Sequence, residues 1–168
     1  MKRIFFLLVL MLPLAACGGG DTDTADSGAK LEGFEEGTTG GDAARPQTAL
    51  SYLRDYEGQY PNQSDLWTKE PLGSRLQSML GSRFSAFQQN MQEVGPAMVE
   101  GDYLYVTGNR QNQGGDHSAV FLADLVGDNI KVWLLTNGRI KEYVEKEGQA
   151  MKLPNEAAMY IANWTPGS

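Results

Sequence analysis

The chain has 168 residues, 41% of them hydrophobic and 10% aromatic, with 14 Lys and Arg against 21 Asp and Glu, one Cys and one His. That length suits one ordinary domain. A single Cys excludes an intramolecular disulfide framework, a Cys-rich zinc module and a redox pair, and a net charge of −7 argues against a nucleic-acid binder, which carries a basic footprint.

In chain order, Lys2 and Arg3 precede an apolar run from Ile4 to Leu12, and Pro13-Leu14-Ala15-Ala16-Cys17 follows. A basic start, a short apolar run and small residues before a processing point form the secretory pattern. The run falls well short of the roughly 20 residues of a membrane-spanning helix. Leu14-Ala15-Ala16-Cys17 resembles the lipobox of bacterial lipoproteins. The resemblance implies that residues 1–16 are a signal peptide and that Cys17 becomes the lipidated N-terminus. Several acyl chains, palmitate among them, would anchor the protein durably where one chain would not. Gly18 follows, in place of the Asp that retains such lipoproteins in the inner membrane. The implied location is therefore the outer membrane, with the domain in the periplasm. Cleavage would leave 12 basic against 21 acidic residues, a net charge of −9.

From Gly18 to Thr48 the chain carries eight Gly, seven acidic and two basic residues, with Leu31 and Phe34 as its large apolar side chains. Such a segment buries too little surface to offset its ordering entropy. Residues 17–48 thus read as the lipidated Cys and a flexible acidic tether, spanning roughly 30 Å as a flexible chain. The alternative is a short binding tail centred on Leu31-Glu32-Gly33-Phe34-Glu35-Glu36.

Residues 49–168 then form one domain with 10 basic and 14 acidic side chains. Ala49, Leu50, Leu53 and Tyr56-Glu57 predict a helix ending at Gly58. Leu72, Leu76, Met79 and Leu80 predict a second, stopping at Gly81. A third short helix carries Phe84, Phe87 and Met91 on one face and breaks before Gly95-Pro96. Beyond Pro96 the period changes to two. Ala97–Val99 and Tyr103–Thr107 flank a turn at Glu100-Gly101-Asp102, and Ser118–Val126 and Asn129–Thr136 flank Gly127-Asp128. Arg139–Val144 follows Asn137-Gly138, the strongest two-residue hairpin signal in the chain. Leu153-Pro154 opens a closing helix with Ala158, Ile161, Ala162 and Trp164 on its apolar face. Helices, about five antiparallel strands and a C-terminal helix, with the helices grouped at one end of the sheet, make an α+β fold.

No catalytic constellation emerges, and no cofactor or metal is expected. His117 follows Asp116 at the start of an apolar strand, where a turn or edge histidine is the common case. A hydrolase would need both residues and another carboxylate to converge in a pocket. The pairs Glu100/Asp102 and Asp124/Asp128 sit at predicted turns, where acidic residues belong. Gly114-Gly115 and Gly127 lack the helix and Lys of a phosphate loop. Trp67, Trp133 and Trp164 read as core or rim. The feature that points to binding is the wholly polar segment Asn109-Arg110-Gln111-Asn112-Gln113-Gly114-Gly115-Asp116. It is longer than a tight hairpin needs, and such loops on rigid sheets often carry binding.

Leu80-Gly81-Ser82-Arg83-Phe84 with Phe87 and Asn90, then Tyr105-Val106-Thr107-Gly108, the polar loop and Ser118-Ala119-Val120-Phe121-Leu122-Ala123-Asp124 together resemble the inhibitor-of-vertebrate-lysozyme family. Tyr52-Leu53-Arg54-Asp55-Tyr56 to Pro61 looks like the helical lead-in of lipoproteins with such a domain. The resemblance implies a small antiparallel sheet with helices that binds C-type lysozyme by inserting a loop into its substrate cleft. The family loop is a C-x-x-H-x-C pattern closed by a disulfide, its His reaching the enzyme's catalytic carboxylates. Here Asn109 and Gly114 stand at the two Cys positions and Asn112 at the His position. A loop without the disulfide needs ordering from elsewhere, and Asn112 can hydrogen-bond a carboxylate without a cation's added strength. The expected function is that of a membrane-tethered binding lipoprotein using Asn109, Arg110, Gln111, Asn112 and Gln113 against a protein or glycan. The alternative is a structural or assembly lipoprotein packed on another envelope protein, with the loop inert.

Overall fold

A computed structural model describes residues 45–164 of the chain. The expected signal peptide, Cys17 and nearly all of the expected tether, including Leu31 and Phe34, lie outside the described residues.

Leu50, Leu53 and Tyr56 are buried at a spacing of three, the repeat of a 3-10 helix, and Ser51–Tyr56 is one. Ala49 and Glu57, which suggested an α-helical stripe, are exposed. The next two helices stand where their apolar periodicity puts them: α1 is Leu72–Leu80 and α2 is Phe84–Asn90. Helix α1 stops where Gly81 turns to φ 51°, a conformation glycine adopts without steric cost.

Six strands follow: β1 Glu93–Val94, β2 Met98–Glu100, β3 Tyr103–Asn109, β4 His117–Asp124, β5 Asn129–Thr136 and β6 Arg139–Val144. They form one antiparallel sheet in the order β1-β3-β4-β5-β6, with β2 pairing alongside β3. Strand β1 is the addition to the five expected, and two residues are too few to show a period. Asn137 and Gly138 both have positive φ, 50° and 68°, and close a two-residue turn that registers Thr136 on Arg139. Strand β4 ends two residues before Val126 because the Asp124 carboxylate accepts the Val126 and Gly127 N–H groups at 3.1 and 2.7 Å. A side chain has taken donors that the ladder would have used.

The helices are not grouped at one end of the sheet; they cover both its faces. From Ser118 to Asp124 every residue of β4 is buried, so each face needs its own cover. On one face Leu104, Val106, Ala119, Phe121, Val132 and Leu134 pack against the 3-10 helix, α1 and α2. Trp67 sits in that core, edge-on to Phe87 and Phe121 at 5.1 and 5.2 Å. On the other face Tyr105, Val120, Leu122, Trp133 and Leu135 pack against α3 (Asn155–Ala162) and Trp164. The face α3 buries is Ala157, Tyr160, Ile161 and Trp164, one residue round from the expected Ala158 and Ala162. Tyr160 causes the rotation: its ring packs inward while its hydroxyl donates to the Gly108 carbonyl at 3.1 Å. Tyr105 ties α3 down from the sheet side, donating to Glu156 at 2.9 Å. Burial, and then that carboxylate, push its phenol up to about 12.

Asn90 joins α2 to the sheet. Fully buried, it donates from Nδ2 to the carbonyls of Ser118 and Leu135, both at 2.9 Å, holding β4 and β5 at one point. Asn90→Ala removes both donors from a buried site and is expected to cost about 2 kcal/mol. Urea denaturation checks this; a loss within error of zero would mean that water replaces the amide.

Candidate functional site

Strands β3 and β4 register Asn109 on Ser118, and the polar segment connects them at one end of the sheet. The connection is braced from within. Arg110 N–H donates to the His117 carbonyl at 3.0 Å, and Gln113 N–H to the Arg110 carbonyl at 3.0 Å. Asp116 and His117 both donate to the Gln113 carbonyl, at 3.1 and 2.8 Å. Ser118 Oγ donates to the Gly114 carbonyl at 2.6 Å. Asn112 takes φ 60° in the first of these turns, which asparagine tolerates better than other non-glycine residues. Hydrogen bonds thus supply part of the restraint that a covalent closure would give.

The structure separates the five candidate residues into two groups. Gln111, Asn112 and Gln113 are exposed at the tip. Asn109 and Arg110 form the half-buried stem: Asn109 Nδ2 donates to Glu93 at 2.8 Å, and Arg110 Nε is buried without a partner among the described residues. Asn109 also lines a shallow cleft of about 480 Å³ with Tyr60, Gln92, Glu93, Thr107 and Tyr160. Across the stem, a Cβ built on Gly114 would lie 3.5 Å from the Cβ of Asn109. That separation falls in the range of about 3.5–4.5 Å between disulfide-bonded residues.

His117 opens β4, an inner strand, and no described carboxylate hydrogen-bonds it; its Nδ1 is buried and unpartnered. Asp116 is exposed beside it. The other acidic pairs serve turns and ion pairs. Asp102 accepts from Arg54 at 3.1 Å, and Asp128 pairs with Arg75 and Lys146, both at 2.9 Å. Among the described residues no group of three His, Cys, Asp or Glu comes together to hold a metal ion.

The sequence profile described as inhibitor of vertebrate lysozyme (Ivy) matches residues 71–167, well over half of the chain. The chain belongs to that family. The match begins just before α1, takes in all six strands and α3, and leaves out the 3-10 helix at Ser51–Tyr56. No curated protein and no solved structure matches the chain closely. The Ivy family is one of inhibitors.

One cluster escaped sequence reasoning. Arg83, Thr136, Asn137, Arg139, Lys141 and Tyr143 line an open groove of about 630 Å³. The signal was the alternation of Arg139, Lys141 and Tyr143 along β6, which sets all three on one face of the strand.

Proposed function

We propose that the protein is a membrane-tethered periplasmic lipoprotein that binds C-type lysozyme through the loop at 109–116. The observation that carries this reading is the exposed Gln111-Asn112-Gln113 tip, held on a braced stem within the residues that match the inhibitor family. Inserted in the substrate cleft, Asn112 would donate carboxamide N–H groups to the catalytic carboxylates. These bonds are weaker than those of an imidazolium, because the donor is neutral. The processed chain, at net −9, would be drawn toward a basic enzyme, faster at low salt. The lipid on Cys17 would hold the domain at the membrane, where an enzyme entering the envelope would meet it.

The test is a pull-down of C-type lysozyme by the chain, with Asn112→Ala and Arg110→Ala beside it. Asn112→Ala is expected to weaken binding roughly five- to tenfold, as loss of one or two neutral hydrogen bonds does. Binding that neither change alters would remove the loop from the mechanism. Retention of the parent protein, but not Cys17→Ser, in the membrane fraction checks the anchor.

A further inference from the structure

The domain's cations are not spread evenly. Arg54, Arg75, Lys69, Lys131 and Lys146 each pair with a described carboxylate. Arg83, Arg110, Arg139, Lys141 and Lys152 have no carboxylate partner among the described residues, and three of these five, Arg83, Arg139 and Lys141, line the same groove. No acidic side chain among the described residues lines it. Glu142 and Glu145, the acidic residues of β6 and the one just after it, are engaged elsewhere, and Asp116, whose carbonyl accepts the Gly138 N–H at 3.5 Å, lies beside the turn without lining the groove. Glu142 points to the opposite face, where it meets Lys131 at 2.7 Å, and Glu145 is held by Arg75. The groove is thus a patch of uncompensated positive charge on an acidic protein.

Two parts of the chain build it, the β5–β6 hairpin and the turn before α2. Thr136 and Arg139 face each other across the Asn137-Gly138 turn, and Leu134 faces Lys141 one step further in. Lys141 Nζ rests over the Tyr143 ring at 5.0 Å. Arg83 comes from the turn before α2, on the face of the sheet that α2 covers.

We propose that this groove is a phosphoryl-anion site, with Arg83 and Arg139 donating guanidinium N–H groups and Lys141 supplying the third cation. Two guanidiniums and an ammonium exceed what a single carboxylate needs, since one guanidinium fork satisfies both its oxygens. A tetrahedral phosphoryl group offers acceptors to all three. The volume of about 630 Å³ is larger than a bare phosphate requires, and the Tyr143 ring beside Leu134 gives the remainder an apolar wall. The ligand class is therefore a phosphate ester bearing an organic group, either free or as a lipid headgroup.

Two probes distinguish these sources, glycerol 3-phosphate and phosphatidylglycerol vesicles, each offered to the full chain. Saturable amide shifts at Asn137, Gly138 and Arg139–Tyr143 with glycerol 3-phosphate, weakened roughly tenfold by Arg139→Gln or Lys141→Gln, identify a free ester as ligand. Arg83→Gln must act the same way, because it lies off the edge strand and leaves β6 intact. Co-sedimentation with phosphatidylglycerol above that with phosphatidylcholine vesicles, lost in the same variants and without glycerol 3-phosphate shifts, identifies the headgroup. Absence of any response to both probes, or responses that all three variants leave unchanged, overturns the proposal.

Discussion

Arg75→Ala is expected to lower the stability of the domain by about 3 kcal/mol, the loss typical of breaking a largely buried ion pair from one side. Arg75 rises from α1 into the end of the β5–β6 pair. It donates from Nε to Glu145 at 2.8 Å, from Nη1 to the Asp128 carboxylate at 2.9 Å and from Nη2 to the Asp128 carbonyl at 2.9 Å. The Arg75, Asp128 and Glu145 side chains are only 16%, 28% and 23% exposed, so deletion strands two carboxylates that water reaches poorly. Lys146 remains beside Asp128 and limits the loss. A domain of this size should melt roughly 10 °C lower. Arg75→Lys keeps the charge without the fork and should recover only part of the loss. A calorimetric midpoint within two or three degrees of the parent would show the network to be dispensable.

Acid should act on the same cluster. Burial disfavours the Asp128 carboxylate, but the hydrogen bonds from Arg75 and Lys146 outweigh it and hold the carboxyl below its ordinary value. A depressed pKa means that the unfolded chain binds the proton more readily. The contribution is therefore complete above the ordinary aspartate value and is lost as pH falls through the folded one. In Arg75→Ala that part of the acid sensitivity should shrink.

The second large effect concerns the loop. In a Cys17→Ser background, Asn109→Cys with Gly114→Cys should close a disulfide in air, because the two Cβ positions already stand 3.5 Å apart. Gly114 does not have positive φ, so a side chain brings no backbone strain there. Closing so short a ring should raise stability by about 2 kcal/mol. Adding Asn112→His should then strengthen inhibition of C-type lysozyme roughly tenfold, replacing a neutral hydrogen bond to a carboxylate with a charge-assisted one. An imidazole that gains a carboxylate partner has its pKa raised on binding. The gain should therefore be full below about pH 6.5 and vanish as pH rises through the bound value. A disulfide verified by thiol titration, with inhibition unchanged across that range, would mean that this loop does not enter the cleft.

How far the sequence carried depended on how local each determinant was. Asn137-Gly138 is legible because two adjacent residues contain the whole reason for the turn. The first helix misled because Leu50, Leu53 and Tyr56 satisfy a three-residue repeat, and the apolar Ala49 beside them invited a 3.6-residue one. Helix α3 turns one residue out of the expected phase because Ala158 and Ala162 suggest a stripe in the sequence, whereas the Tyr160 ring packs inward and its hydroxyl is satisfied by the sheet. The loop at 109–116 was visible as an unbroken polar run, but its bracing was not, since Ser118 Oγ and the Gln113 carbonyl become partners only once the turns form. The basic groove was the hardest to see. Arg83 and Arg139 are far apart in the chain, and only the packing of α2 against the sheet makes them neighbours.

Strand β6 has a further consequence, for self-association. It is the outer strand on its side of the sheet, and its first four residues, Arg139, Ile140, Lys141 and Glu142, are all exposed. A bare strand edge invites another copy to pair with it, and crowding on a surface would sharpen that risk. Two such edges meeting antiparallel about Ile140 or Lys141 would bring cations together without countercharge from the groove face. The charges proposed to hold a phosphate would then also keep neighbouring molecules from zipping together, and neutralising them would loosen both constraints at once.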